Sequence, residues 1–161
     1  MNNDYCFNYV SANNISSETF EQICHVENNS SGEPYSREEL KQIVYHNGND
    51  NFLCLQNNVV IGFITANPNS IRLGGSIYII NMSVHKDNQR QGVGSKLIDN
   101  LINYYYQLNI NKPLTLNVDK TNLKAFSLYK KLTFETIEDL SDKDSFMMTR
   151  PLALQNTKAR E

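Results

Sequence analysis

The order of elements in this chain predicts an α+β fold, a mixed and mostly antiparallel central sheet flanked by helices. Three observations carry that prediction. Apolar runs come in pairs around turn residues, as in 52–55 and 59–66 on either side of Gln56-Asn57-Asn58. Four segments repeat apolar residues at helical spacing. Only one β-α-β-α unit, from Ser76 to Leu132, interrupts the hairpins.

Each element has a local reason. Residues 5–10 read as a first strand. Ser16 can cap a helix that carries Phe20, Ile23 and Cys24 on one face. The polar loop 28–34 breaks the chain, and Ser36-Arg37-Glu38-Glu39 then forms a capping box ahead of Leu40, Ile43 and Val44. Gly48 is placed to end that helix. After the hairpin, Pro68-Asn69 and Gly74-Gly75 bracket a turn, and 76–84 is a long strand. Val93, Leu97, Ile98, Leu101, Ile102 and Tyr105 share one helix face, so Tyr105 is core and Tyr104 and Tyr106 are partly exposed. Residues 114–118 read as a strand, 122–132 as a helix, and 134–137 and 146–149 as closing strands. The predicted organisation is one domain over 1–153 with a polar, frayed tail over 154–161.

A net charge of −2 gives no electrostatic basis for capturing nucleic acid or an anionic membrane. Cys6, Cys24 and Cys54 are too scattered for a metal knuckle or disulfide frame and read as small buried hydrophobes. Residues 1–4 lack the pattern of a signal peptide, and no apolar run is long enough to span a bilayer, so the expected location is cytoplasmic. A monomer or homodimer is expected.

Gln89-Arg90-Gln91-Gly92-Val93-Gly94 lies between the strand-like run 77–84 and the amphipathic run 93–106. A Gly-rich turn that opens a helix offers unpaired N–H groups and the positive end of the dipole, which suits a phosphate or pyrophosphate. A dinucleotide fingerprint would need Gly where Leu97 stands. A triphosphate loop would need Gly-Lys-Ser/Thr, and Gly94-Ser95-Lys96 is out of order. Further on, Asn122 opens a helix and Tyr129 follows two turns later on nearly the same face. An amide that can hold a ligand and a phenol that can donate a proton are thus presented together.

At these two motifs the chain resembles the GNAT superfamily of acetyl-CoA-dependent N-acyltransferases. Gln89-x-x-Gly92-x-Gly94 is similar to that family's (Arg/Gln)-x-x-Gly-x-(Gly/Ala) cofactor motif. Asn122-x-x-Ala125-x-x-x-Tyr129-x-Lys131-x-x-Phe134 is similar to its second signature, and the resemblance spans about 51–151. It implies the GNAT fold, acetyl-CoA as co-substrate without a metal, and an amine acceptor, protein, peptide or small molecule. It implies that Gln89, Arg90, Gln91, Gly92, Val93, Gly94 and Ser95 hold the pyrophosphate. Met82 and Val84 would pair with the pantetheine arm, Asn122 would contact it, and Tyr129 would protonate the departing thiolate as general acid. The short match at Pro34-Tyr35-Ser36 resembles the branch that acetylates protein N-termini, including ribosomal-protein N-terminal acetyltransferases.

Two positions depart from the family pattern. Asn117 stands where many relatives carry the basic Glu, and the strand before the turn, with Tyr78 and Asn81, has no carboxylate either. Thr133 stands where Gly usually follows the second helix, so it either adopts a left-handed backbone or ends the helix differently. Glu33, in the loop before the second helix, is the first candidate for a replacement base, ahead of His46, His85, Asp119 or a water chain. An α-amine of pKa ~8 loses only about 1.4 kcal/mol to protonation at pH 7, against about 4.6 kcal/mol for a lysine amine, so a weak base suits the former. An acyl-CoA-binding module without turnover is the alternative reading, and a dinucleotide enzyme a distant third.

Overall fold

The computed structural model describes residues 4–30 and 32–153. The polar tail 154–161 and Ser31 of the first loop lie outside the described residues. Two helices follow the first strand: β1 (Tyr5–Ser11), α1 (Ser17–Asn28) and α2 (Arg37–Val44). A meander of β2 (Asp50–Gln56), β3 (Val59–Ser70) and β4 (Ser76–Val84) leads into α3 (Val93–Gln107). The chain closes with β5 (Leu114–Asp119), α4 (Leu123–Lys131), β6 (Glu135–Thr136) and β7 (Ser145–Arg150). This is the order that the sequence predicts.

The seven strands among the described residues form one sheet in the order β1-β2-β3-β4-β5-β7-β6, antiparallel at every junction except β4–β5. One core lies between the sheet and α3, built on Ile77, Ile79, Leu97, Ile98, Leu101, Tyr105 and Leu116. The other lies under α1 and α2, built on Phe20, Ile23, Val26, Leu40, Val44 and Phe63. Among the described residues no helix is long and apolar enough to cross a membrane.

Local signals work where local physics dominates. The Ser16 side chain accepts from the Thr19 N–H, and Ser36 and Glu39 close a reciprocal capping box. Asn57 and Asn58 sit at φ 50° and 62°, the mirror-image turn that matches strand twist. Three expectations are corrected. Gly48 does not end α2, which stops at Val44 with Tyr45 as its C-cap. Pro68-Asn69 is not a turn but the irregular end of β3, whose register with β4 slips between Asn67 and Ser70. Cys6 is exposed, because odd and even residues of β1 face opposite ways; Cys24 and Cys54 are buried as expected.

Candidate active site

Two features of β4 create the site. The first is a bulge. Thr65 of β3 pairs with Asn81 and the next residue, Ala66, pairs with Ile79, so Ile80 has no partner. An extra residue flips the side-chain alternation. Before it, Ile77 and Ile79 point into the core under α3; after it, Met82 and Val84 do. Asn81 and Ser83 are thereby turned toward α1. The second is a splay. β4 and β5 pair only through Ile77–Leu114, Tyr78–Thr115 and Ile79–Leu116. Beyond these, β4 runs on to Val84 and β5 to Asp119 without pairing, so facing backbone edges lack a strand partner. A cleft of about 700 Å³ opens there.

The glycine turn follows the end of β4, the strand that forms one edge of the cleft. The Gln89 side chain donates to the Val84 carbonyl at 2.9 Å, fastening the turn to the end of β4. Gly92 is the N-cap of α3 at φ +80°, a conformation that costs other residues energy, and a Cβ there would meet nothing within 4 Å. The α3 N-terminus therefore stands open to an anion. Gly94 has the opposite reason. A Cβ on it would lie 3.2 Å from Leu128 and 3.6 Å from Met82, so glycine lets α3 pack against α4 and β4.

Helix α4 closes the second wall. Asn122 is its N-cap, with Oδ1 accepting from the Ala125 N–H at 3.2 Å. Its Nδ2 points toward Gly32 of the α1–α2 loop, across the cleft. Tyr129 is 7% exposed, lines the cleft, and packs edge-on to Phe134 at 5.5 Å. Its hydroxyl makes no hydrogen bond to a described residue, and burial pushes the phenol up from its ordinary value. Thr133 resolves its alternatives: it takes the left-handed conformation at φ 67°. The helix then ends with Phe134 N donating to Tyr129 O and Thr133 N to Lys130 O.

The structure brings Met82, Asn122, Tyr129 and Glu33 to one cleft, with the 89–95 turn at the end of β4. Glu33 is solvent-exposed at its mouth, and Asn117 of β5 lines it. His85 instead caps the turn after β4 and stacks on His25 at 5.4 Å. One group was not singled out in the sequence. Glu27, at the C-terminal end of α1, is 4% exposed and lines the cleft. Its Oε1 accepts from the Tyr35 N–H at 3.0 Å, and its Oε2 from Asn81 Nδ2 at 3.0 Å and Ser83 Oγ at 2.5 Å. A Glu in place of an apolar residue, one turn after Ile23 on a buried face, was the signal available.

The model of the acetyltransferase (GNAT) family matches residues 14–134. No curated protein matches the chain in sequence. Among solved structures, the ribosomal-protein-S18-alanine N-acetyltransferase from Escherichia coli superposes with a TM-score of 0.72 at 21% identity, over 95% of this chain and 98% of that one. The PaiA N-acetyltransferase from Thermoplasma acidophilum, in complex with coenzyme A, gives 0.74 at 16% identity, over 92% and 99%. NAA60 from Arabidopsis thaliana, in complex with a bisubstrate analogue, gives 0.69 at 17%, over 91% and 97%. This chain belongs to the GNAT acetyltransferase family, and its class of activity is acetyl-CoA-dependent transfer to an amine.

Proposed function

We propose that this protein acetylates a polypeptide amine, with acetyl-CoA lying in the β4–β5 splay and Tyr129 serving as general acid. The observation that carries the reading is the splay itself. It presents unpaired main-chain edges beside a helix N-terminus at one end and a buried phenol along one wall. Acetyl-CoA supplies a thioester carbonyl that an amine can attack directly. The residues of this chain do the rest. The N–H groups of 89–95 hold the pyrophosphate on the dipole of α3. Main-chain groups of Met82 and Val84 pair with the pantetheine amides as a further strand would, and the free Nδ2 of Asn122 adds a donor.

Tyr129 then gives its proton to the departing sulfur. Burial among apolar neighbours holds that proton on the phenol throughout the neutral range. A protein or peptide acceptor is supported by two similar structures: the Escherichia coli enzyme is a ribosomal-protein-S18-alanine N-acetyltransferase, and the NatC complex is bound to a Gag peptide and CoA. Free cysteines, two of them buried, fit a reducing cytoplasm.

The test is a panel of amines scored by CoA release: an alanyl tripeptide amide with a free α-amine, N-acetyl-lysine amide, and spermidine. Preference for the tripeptide supports the reading, and turnover of spermidine alone overturns the polypeptide assignment. Acetyl-CoA binding with no release on any amine supports instead a binding module.

A further inference from the structure

We infer that Glu27 is the proton acceptor of this enzyme: its carboxylate receives the acceptor's ammonium group and removes a proton before attack. The inference rests on the transferase reading above and adds to it the group that the two usual positions lack.

Glu27 is a charge buried beside the cleft without a counter-ion. No lysine, arginine or histidine nitrogen among the described residues lies within 4.0 Å of its carboxylate. An isolated carboxylate is costly to bury, and three neutral donors satisfy it only in part. Those donors come from two elements, the loop after α1 (Tyr35) and β4 (Asn81, Ser83). They hold it at the junction of the α1–α2 loop and the splayed strand. A carboxylate offers about four acceptor positions, so one remains for a ligand. Two titratable groups that feel its charge are neutral acids, Cys24 on its own helix and Tyr35 on the loop, both pushed up chiefly by burial. Glu33, Asp119, Lys124 and Tyr129 line other parts of the cleft. A cationic amine entering past the loop is the partner this charge lacks.

Glu33 shares the cleft, but its exposure weakens its charge by solvation and gives it no fixed geometry. Glu27 has the fixed geometry that proton transfer needs. The step balances as follows. R–NH3⁺ gives one proton to the Glu27 carboxylate, which passes it to water after turnover. R–NH2 forms the new N–C bond at the thioester carbonyl, and the C–S bond breaks. Tyr129 protonates the sulfur, and the phenolate regains a proton from the nitrogen as the amide forms.

The experiment compares wild type, Glu27→Gln, Glu27→Asp and Glu33→Gln in kcat/KM from pH 6.5 to 9.5, with acetyl-CoA affinity and melting temperature read alongside. General-base loss predicts a fall of about a hundredfold for Glu27→Gln at pH 7. That deficit shrinks by about tenfold between pH 7 and 9 and then levels off, as solvent deprotonates an α-amine of pKa ~8. Acetyl-CoA affinity stays within about threefold. Glu27→Asp withdraws the charge by one methylene, so it loses rate but keeps the wild-type pH slope, and it serves where the Gln variant does not fold. A purely structural tie would lower rate at every pH alike. A second readout needs no turnover: the tripeptide amide binds CoA-loaded wild type at least about tenfold more tightly than Glu27→Gln. Wild-type turnover with an unchanged pH profile in Glu27→Gln overturns the inference and leaves the transferase reading intact. So does equal tripeptide binding, or loss of rate in Glu33→Gln alone. A wild type that releases no CoA with any amine fails the transferase reading instead.

Discussion

Replacing Tyr129 with Phe removes one oxygen and almost nothing else. The ring is held by packing, edge-on to Phe134 at 5.5 Å, and Phe keeps that contact. The hydroxyl has no hydrogen bond to a described residue, so its loss leaves no orphaned partner, and stability should change by less than about 1 kcal/mol. The catalytic effect is separable and larger. A positioned general acid contributes about 10²–10⁴ in rate. An unperturbed phenol near 10 donating to a thiolate of conjugate acid near 8.5 is uphill by about 2 kcal/mol. Burial pushes the phenol higher, yet it also raises a thiol in the same setting, as the buried Cys54 thiol, pushed up to about 11, illustrates. The two shifts oppose, which keeps the expected loss at about 10²–10³ in kcat, or about 3–4 kcal/mol. Because the folded phenol lies above its free value, the proton is retained below pH 10, and no decline from Tyr129 should appear between pH 7 and 10. The assay is single-turnover CoA release, with acetyl-CoA affinity measured by calorimetry. A Phe variant whose kcat stays within about threefold of wild type would refute the acid role and leave Tyr129 a packing residue.

Thr133→Gly should raise stability by about 0.5–1 kcal/mol, since a β-branched residue at φ 67° costs more than the extra chain entropy of Gly. Thermal unfolding would show a rise of about 2 °C, and a fall would mean that the Thr133 Oγ1 bond to the Leu132 carbonyl matters more than the strain. Gly94→Val should weaken acetyl-CoA binding at least about tenfold by forcing α3 away from Leu128 and Met82; unchanged affinity in calorimetry counts against the cradle. Hydrogen bonds from Thr121 hold Asp119, and backbone N–H groups of Asp144 and Ser145 hold Asp142, below the usual carboxylate range. Groups depressed in this way stabilise above their unfolded pKa, near 3.8, and lose that contribution as pH falls through the folded value. The melting temperature should be insensitive to these two groups from pH 5 to 8 and drop below about pH 4, less steeply in Asp142→Asn.

What the sequence determined by itself is the set of elements and the local half of the candidate site. Caps, Asn-Asn turns and helical spacing act within a few residues, so Ser16, Ser36 and Asn57-Asn58 could be read directly. Gly92, Gly94, Asn122 and Tyr129 were legible because each pair lies in one continuous strand-turn-helix segment, where spacing fixes orientation. The extent of β3 past Pro68, the exposure of Cys6 and the early end of α2 were set by neighbours distant in sequence. The same holds for the bulge at Ile80 and the β4–β5 splay, because register between strands is a property of the pair and not of either run. Glu27 shows the difference most sharply. Asn81 and Ser83 lie 54 and 56 residues away along the chain. Only the bulge turns them toward α1, and only then does an unremarked helix residue become a buried charge facing the cleft. The sequence pointed to the molecule that donates the acetyl group through the resemblance its two motifs carry, since each motif is local. The tertiary structure decided which carboxylate is buried and held at the cleft, since burial and partners come from elements that meet only in the folded chain.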